Sequence, residues 1–262
     1  MLGWSINLFR VFGIQLAVHA TFFLLLAYAA YEGWQSGGLP GLVWRVLLTT
    51  LFFVCVVLHE LGHSLTALRY GVRVPRILLL PIGGMAEMDH IPRRPSAEFL
   101  ITIAGPAVNF AIAAVLLPFA WRYALGLEGM AEFSGAEVLT LLFLGNLYMG
   151  LFNLLPLYPM DGGRILRSIL ALWLPYLQAT WWAVMITRVL APIFAVIAFF
   201  FSRDSQMLGV LFLFILYVGN TEYRILRRRE EEAAYWADMA RRIVVPASSN
   251  TEEPPLLHHG PN

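Results

Sequence analysis

The sequence predicts an all-α polytopic membrane protein with about six transmembrane helices and a small β-hairpin or sheet between the second and third spans. Of its 262 residues, 59% are hydrophobic and 13% are charged, whereas soluble domains have roughly 45–50% apolar and about 25% charged residues. A helix needs about 20 mainly apolar residues to cross a bilayer. Six stretches approach that length, and one intervening segment is too short and too broken by proline and glycine to cross.

A glycine-rich turn separates the first two predicted spans. The first runs from Ile14 to Tyr31 and the second from Leu42 to about Tyr70, with Gly37-Gly38-Leu39-Pro40-Gly41 between them. Gly71 is suited to end the second helix. We expect no cleavable signal peptide, because the N-terminus lacks a basic region and no small-residue cleavage site follows the first apolar run.

The segment from Val72 to Ile91 interrupts the series of spans. Pro75, Pro81 and the pair Gly83-Gly84 divide it into short apolar runs. This pattern favours two short strands with the glycine pair in or beside the bend. Because extended backbone at membrane depth is tolerated only against protein or a water-filled cavity, we expect the hairpin to have such a neighbour.

The remaining chain predicts four more spans and one short helix. Ser96 is a candidate N-cap for the third span, and Glu98 in its first turn complements the helix dipole. A short amphipathic helix at the membrane surface is expected from Ile165 to Leu174. The four predicted spans cover residues 99–121, 138–157, 180–201 and 207–223.

The arginines predict the orientation of the chain. The sequence has no lysine, so all 18 basic residues are arginine. With six spans, 14 arginines fall on the side that holds both termini, whereas Arg45, Arg122 and Arg203 fall on the other side and Arg188 is unassigned. The positive-inside rule therefore predicts a multi-pass protein of the cell membrane with both termini in the cytoplasm.

The motif His59-Glu60-Leu61-Gly62-His63 follows an apolar run within the second span. Residues i and i+4 share one face of a helix, so His59 and His63 present two imidazoles to one point, with Glu60 beside them. This arrangement is typical of zinc hydrolases. Asp161 follows the fourth span, and the predicted topology places it at a similar depth on the cytoplasmic side. Asp161 is therefore a candidate third ligand.

Other polar residues have simpler interpretations. His19 is a functional candidate because it lies in a predicted span, but a hydrogen bond to a neighbouring helix is favoured over a metal ligand. Cys55 is expected to be a small buried helix residue. Asn109 and Asn153 either join helices or form the polar wall of an active-site cavity. Glu87, Asp89 and His90 lack the spacing of metal ligands, so a second metal site there is disfavoured.

Taken together, these motifs resemble the site-2 protease family of intramembrane zinc metalloproteases. The similarity is greatest to its compact six-span branch, which includes the bacterial sporulation-factor processing protease. The chain contains no stretch that resembles the PDZ or tandem CBS domains of many members. The matching motifs occur in the family's order at His59–His63, Gly83-Gly84, Gly105–Asn109 and Asn153–Arg164.

The resemblance implies one zinc ion per chain, with His59, His63 and Asp161 as ligands and Glu60 as catalytic base. It also implies that further residues bind substrate or support the site, namely Asn109, Asn153, Gly83 and Gly84. On this interpretation residues 1–223 form the transmembrane metalloprotease domain, 224–245 a cytoplasmic helical extension, and 246–262 a disordered tail.

The implied function is intramembrane proteolysis of single-span membrane proteins within the lipid bilayer, with room for a regulatory membrane partner. The net charge of +1 gives no electrostatic basis for binding nucleic acid. Three alternatives remain, of which the first would take its carboxylate ligand from a later helix and the second would use the same ligands. They are a membrane zinc protease of the prenyl-protein type, a transporter or metal carrier, and a membrane scaffold without catalysis.

Overall fold

Six helices and one four-stranded sheet make up the part of the chain that the computed structural model describes, which is residues 4–89, 92–126, 134–201 and 206–243. The strands are β1 Ser5–Val11, β2 Ile14–His19, β3 Arg76–Leu80 and β4 Gly83–Glu87. The helices are α1 Thr21–Arg69, α2 Pro95–Ala124, α3 Gly135–Asn153, α4 Asp161–Leu170, α5 Tyr176–Phe201 and α6 Gln206–Ile243.

Five of these helices, all except α4, are long and apolar enough to cross a membrane. Helix α1 contains two arms, residues 21–36 and 39–69, because the backbone leaves helical geometry at Gly37 and Gly38. A Cβ on Gly33 would overlap the carbonyl oxygen of Gly41, although residues eight apart in a straight helix are separated by about 12 Å. The arms are therefore antiparallel, and the turn lies where the sequence predicts it. The predicted multi-pass helical architecture is confirmed.

The predicted first span is wrong at its start. Residues Ile14–His19 form β2 instead, and the helix begins only at Thr21. Strand β2 pairs in parallel with β3, from Gln15 opposite Arg76 to Val18 opposite Leu79. Hydropathy did not reveal this boundary, because a short continuous apolar run has the same pattern in a buried strand and in a buried helix.

The sheet has the order β1-β2-β3-β4. The predicted hairpin between the second and third spans is confirmed as β3 and β4, with Gly83 beside the bend. A second hairpin, β1 with β2, was not predicted. Its turn residues Phe12 and Gly13 both have positive φ, 51° and 83°, as in the tight turns that suit twisted strands. Both β1 and β4 are edge strands.

The sheet packs against the second arm of α1. Ile14 and Leu16 of β2 and Ile77 of β3 are buried together with Leu61 and Ala67 of α1. Burial of these apolar side chains holds the sheet beside the segment that contains His59, Glu60 and His63. The edge strand β4 therefore lies against the predicted catalytic segment.

The connection between α3 and α4 differs from the predicted boundaries. Helix α3 ends at Asn153 rather than near residue 157, and α4 begins at Asp161 rather than at residue 165. A Cβ on Gly162 would overlap the carbonyl oxygens of Leu154 and Leu155. The glycine thus lets the first turn of α4 pack directly on the preceding loop.

Helix α6 continues without a break from its membrane-spanning part to Ile243. The helical character expected of residues 224–245 is therefore present as far as the structure describes them. The tail at 246–262 lies outside the described residues, and the three-part domain division remains a prediction.

Candidate metal centre

Three predicted ligands converge at one point. His59 Nε2 and His63 Nε2 each lie 3.3 Å from Asp161 Oδ2, and the two nitrogens are 3.1 Å apart. The histidines come from one face of α1, one turn apart, whereas Asp161 is the first residue of α4. Both histidines are buried, with exposed fractions of 4% and 8%.

The hydrogen bonds fix the tautomer of each imidazole. His59 Nδ1 donates to Asn109 Oδ1 at 2.5 Å, and His63 Nδ1 donates to the carbonyl oxygen of Ile101 at 2.8 Å. Because each ring carries its proton on Nδ1, each Nε2 presents a lone pair to the centre. Neutral imidazoles held in this way are the usual histidine ligands of metal ions.

Asp161 adds a third lone-pair donor. Its Oδ2 is buried and receives no hydrogen bond from any described residue. Two imidazole nitrogens and a carboxylate oxygen, all within 4.8 Å of one another, would repel without a cation between them. Zinc prefers histidine nitrogen and carboxylate oxygen in a three-ligand catalytic site. The residues present therefore fit a zinc ion.

Asn109 joins two helices, as one of its two suggested roles requires, and it also contacts a predicted ligand instead of forming the wall of the cavity. Besides accepting from His59, its amide donates to Asn146 Oδ1 at 2.8 Å, and Asn146 in turn donates to the carbonyl oxygen of Leu142 at 2.8 Å. These hydrogen bonds join α2 to α3 and also orient His59. Asn146 was not predicted to support the site, although an isolated amide on an apolar span was an available signal.

Gly105 explains the glycine-proline sequence within the third span. A Cβ there would overlap His63 Nε2 and would lie 2.8 Å from His59 Cε1. The missing side chain therefore lets α2 approach the two imidazoles closely enough for Asn109 and Ile101 to reach them.

Glu60 lies beside the three ligands and against β4. Its Oε2 accepts a hydrogen bond from the backbone N–H of Ala86 at 3.2 Å. A Cβ on Gly84 would collide with the Glu60 side chain, so the glycine allows this contact. Glu60 is thus held next to the convergence point without being one of the three donors.

The centre opens into an apolar groove of about 1130 Å³. The groove is lined by His59, Glu60, Gly83, Gly84 and Asn153, and by apolar side chains of both arms of α1, of α3 and of α6. The predicted site residues thus all lie at the convergence point or along this groove, except Asn109, which lies behind His59.

The other candidates lie elsewhere. His19 Nδ1 bonds Thr21 Oγ1 at 2.7 Å and accepts from the Thr21 backbone N–H, so it caps the start of α1. Glu87 pairs with Arg76 at 2.7 Å, and this hydrogen bond lowers the pKa of Glu87. Cys55 is buried. His90 lies outside the described residues, and no second group of three metal-ligating side chains occurs among those described.

Comparison with known proteins agrees with this geometry. The model of peptidase family M50 matches residues 47–128 and 124–194. A zinc metalloprotease of Methanocaldococcus jannaschii is 40% identical over 225 residues, which cover 86% of this chain and 62% of that protein. Stage IV sporulation protein FB of Bacillus subtilis is 31% identical over 147 residues, which cover 56% of this chain and 48% of that protein. The chain thus spans less than two thirds of the length of either relative.

A solved structure is also similar. The site-2 protease from Methanocaldococcus jannaschii matches with a TM-score of 0.58 and 39% identity, over 84% of this chain and 95% of that one. The chain therefore belongs to peptidase family M50, the site-2 protease family.

Proposed function

We propose that this chain is an intramembrane zinc endopeptidase that cleaves transmembrane segments of other membrane proteins near the cytoplasmic leaflet. The observation that carries the proposal is the position of the convergence point at the wall of an apolar groove between membrane-spanning helices. An apolar groove between spans suits a substrate that arrives from the hydrocarbon rather than from water.

The arginine distribution supports the depth of the site. His63 lies six residues before Arg69 at the end of α1, which is about 9 Å along the helix axis. With both termini in the cytoplasm, as the positive-inside rule predicts, this end of α1 faces the cytoplasm and the ligands lie within the inner leaflet.

Each side chain has a defined role in the proposed hydrolysis. His59, His63 and Asp161 would hold a zinc ion, which would supply Lewis-acid chemistry for a scissile carbonyl and lower the pKa of a water molecule. Glu60 takes the proton of the attacking water and transfers it to the leaving amine. Because Ala86 holds Glu60 Oε2, the carboxylate is fixed beside the ligands with Oε1 left for proton transfer.

The two asparagines divide the remaining roles. Both polar atoms of the Asn109 side chain are engaged, by His59 and by Asn146, so Asn109 orients a ligand and does not reach substrate. Asn153 lines the groove, and its amide is the candidate donor to the developing oxyanion.

The edge strand β4 is the proposed docking strand for the unwound substrate. The Ala86 N–H points to Glu60 and so away from β3. Since backbone groups of a strand alternate in direction, those of Gly84 lie on the same open edge. In the β3–β4 hairpin, β3 is enclosed between β2 and β4. Within this hairpin only β4 has a free edge, and this edge lies beside Glu60, which supports β4 as the strand that the substrate joins.

The decisive experiment compares the wild type with Glu60→Gln, purified in detergent, for bound zinc and for cleavage of single-span substrates. We expect both to bind one zinc ion per chain and only the wild type to cleave. Glu231→Gln is the control, because it removes an exposed carboxylate on α6 that lies outside the site. Equal cleavage by Glu60→Gln would refute the proposed base, and zinc without cleavage in the wild type would favour a scaffold or a carrier.

A further inference from the structure

Helix α4, which presents Asp161, is anchored by a buried arginine. The Arg167 side chain is 2% exposed. Its Nε donates to Glu98 Oε1 at 2.8 Å, and its Nη1 donates to the hydroxyl oxygen of Tyr158 at 2.6 Å. Tyr158 in turn donates to Glu222 Oε1 at 2.7 Å. We call Glu98, Tyr158, Arg167 and Glu222 the α4 anchor.

The α4 anchor connects three parts of the fold around the metal centre. Glu98 belongs to α2, which also supplies Asn109, while Glu222 belongs to α6. Tyr158 lies in the loop three residues before Asp161, and Arg167 lies six residues after it. The α4 anchor therefore includes side chains from both sides of Asp161 in the sequence.

Packing alone does not account for an ionised network at this place. Burying an arginine and a glutamate carries a large desolvation penalty that an apolar pair of similar size would avoid. The charged groups instead fix the orientation of α4, because the planar guanidinium presents its N–H donors in a rigid geometry. The rings of Tyr158 and Tyr176 each lie 4.9 Å from the Arg167 guanidinium carbon, which restricts it further.

The loop before Asp161 is fixed independently of these charges. The Tyr158 backbone N–H donates to Thr187 Oγ1 of α5 at 2.7 Å. A Cβ on Gly219 of α6 would overlap the Tyr158 carbonyl oxygen, so α6 packs directly on this backbone. Removing only the Tyr158 hydroxyl therefore leaves the loop in place while it breaks two bonds of the anchor.

We propose that Tyr158 and Arg167 are positioning residues, which hold Asp161 at the distance from His59 and His63 that zinc requires. The inference rests on the assignment of these three residues as zinc ligands. Partners that orient a metal ligand typically change metal affinity by about 10- to 100-fold when removed. The α4 anchor acts on Asp161 through the short helix rather than by direct contact.

The test measures zinc affinity by competition with a chelator, in detergent, for the wild type, Tyr158→Phe and Tyr217→Phe. Tyr217 is the control because it is an exposed tyrosine of α6, 69% accessible. We expect Tyr158→Phe to bind zinc about tenfold more weakly and to regain cleavage when zinc is raised, with Tyr217→Phe unchanged. The melting temperature of each variant is recorded in parallel.

Unchanged zinc affinity in Tyr158→Phe would overturn the inference, whatever its melting temperature, and would leave the α4 anchor a purely structural device. A wild-type chain that binds no zinc would overturn the ligand assignment itself. Failure of the inference is thereby distinguished from failure of the proposed function. Arg167→Lys is the second variant, because it keeps the charge and loses the fork, and it should also weaken zinc binding.

Discussion

Asn109 Oδ1 accepts a hydrogen bond from His59 Nδ1 at 2.5 Å, and the Asn109 amide is itself oriented by its hydrogen bond to Asn146. Asn109 belongs to α2 and Asn146 belongs to α3. The geometry of a ligand on α1 is therefore set by two other helices. A ligand held in this way needs little rearrangement when the metal binds.

These hydrogen bonds predict the effect of replacing Asn109. Asn109→Ala takes away the acceptor that keeps the His59 proton on Nδ1, so zinc affinity should fall by about 10- to 100-fold. Chelator competition measures it, with Asn220→Ala on α6 as the control. Wild-type affinity in Asn109→Ala would show that His59 is oriented by packing alone.

Gly105 allows a steric test of the same centre. Gly105→Ala places a methyl group on both imidazoles, so the purified variant should contain little zinc and should not cleave. Gly135→Ala is the matched control, since nothing lies within 4 Å of its added Cβ. Full zinc occupancy in Gly105→Ala would mean that α2 can move away from α1 at no cost.

Removal of the metal should destabilise the fold as well as stop cleavage. A ligand that binds only the native state, at 1,000 times its dissociation constant, contributes about 4 kcal/mol. Without zinc, three buried lone pairs face one another at His59, His63 and Asp161. Thermal unfolding before and after a chelator, and again after zinc is restored, measures the effect. A melting temperature independent of zinc would argue against these ligands.

The ion pair of Arg167 and Glu98 predicts a non-additive pair of substitutions. Arg167→Met leaves a buried, uncompensated carboxylate and should cost about 3–5 kcal/mol of unfolding free energy. The double variant Arg167→Met/Glu98→Leu should be more stable than Arg167→Met alone, because it removes the charge that has lost its partner. Denaturant unfolding of both proteins in detergent gives the comparison, and a double variant of lower stability would contradict it.

The docking strand predicts how substrate-like inhibitors behave. A peptide that pairs with β4 should lose about fivefold in inhibition when N-methylated at a residue facing that strand, since it forfeits roughly 1 kcal/mol of hydrogen bonding. Methylation one residue along, on the opposite edge of the peptide, is the control. Equal losses at both positions would exclude pairing with β4.

The features that follow local periodicity were predictable from sequence. The four-residue spacing of His59 and His63 places both on one helical face whatever the rest of the fold does. The turn at Gly37–Gly41 and the β3–β4 hairpin were likewise marked by their own glycines and prolines.

Features that depend on distant partners were not predictable. Asn109 bonds a residue 37 positions away, and Arg167 bonds one 69 positions away, so neither pair leaves a local pattern. Strand β2 was mistaken for part of a span because both of its faces are buried and its hydropathy resembles that of a helix.

The first arm of α1 is short for a membrane crossing. Residues 21–36 span about 24 Å as a helix, whereas the hydrocarbon core is about 30 Å thick. Strand β2 directly precedes this arm, so at this end of the arm the backbone belongs to the sheet and not to a membrane-spanning helix. A bilayer meets such hydrophobic mismatch by thinning, and headgroups and water should therefore dip toward the sheet. If the substrate is a transmembrane helix, as proposed, its arrival at this dip would remove part of its hydrocarbon surroundings and favour unwinding beside Glu60 and the metal ligands.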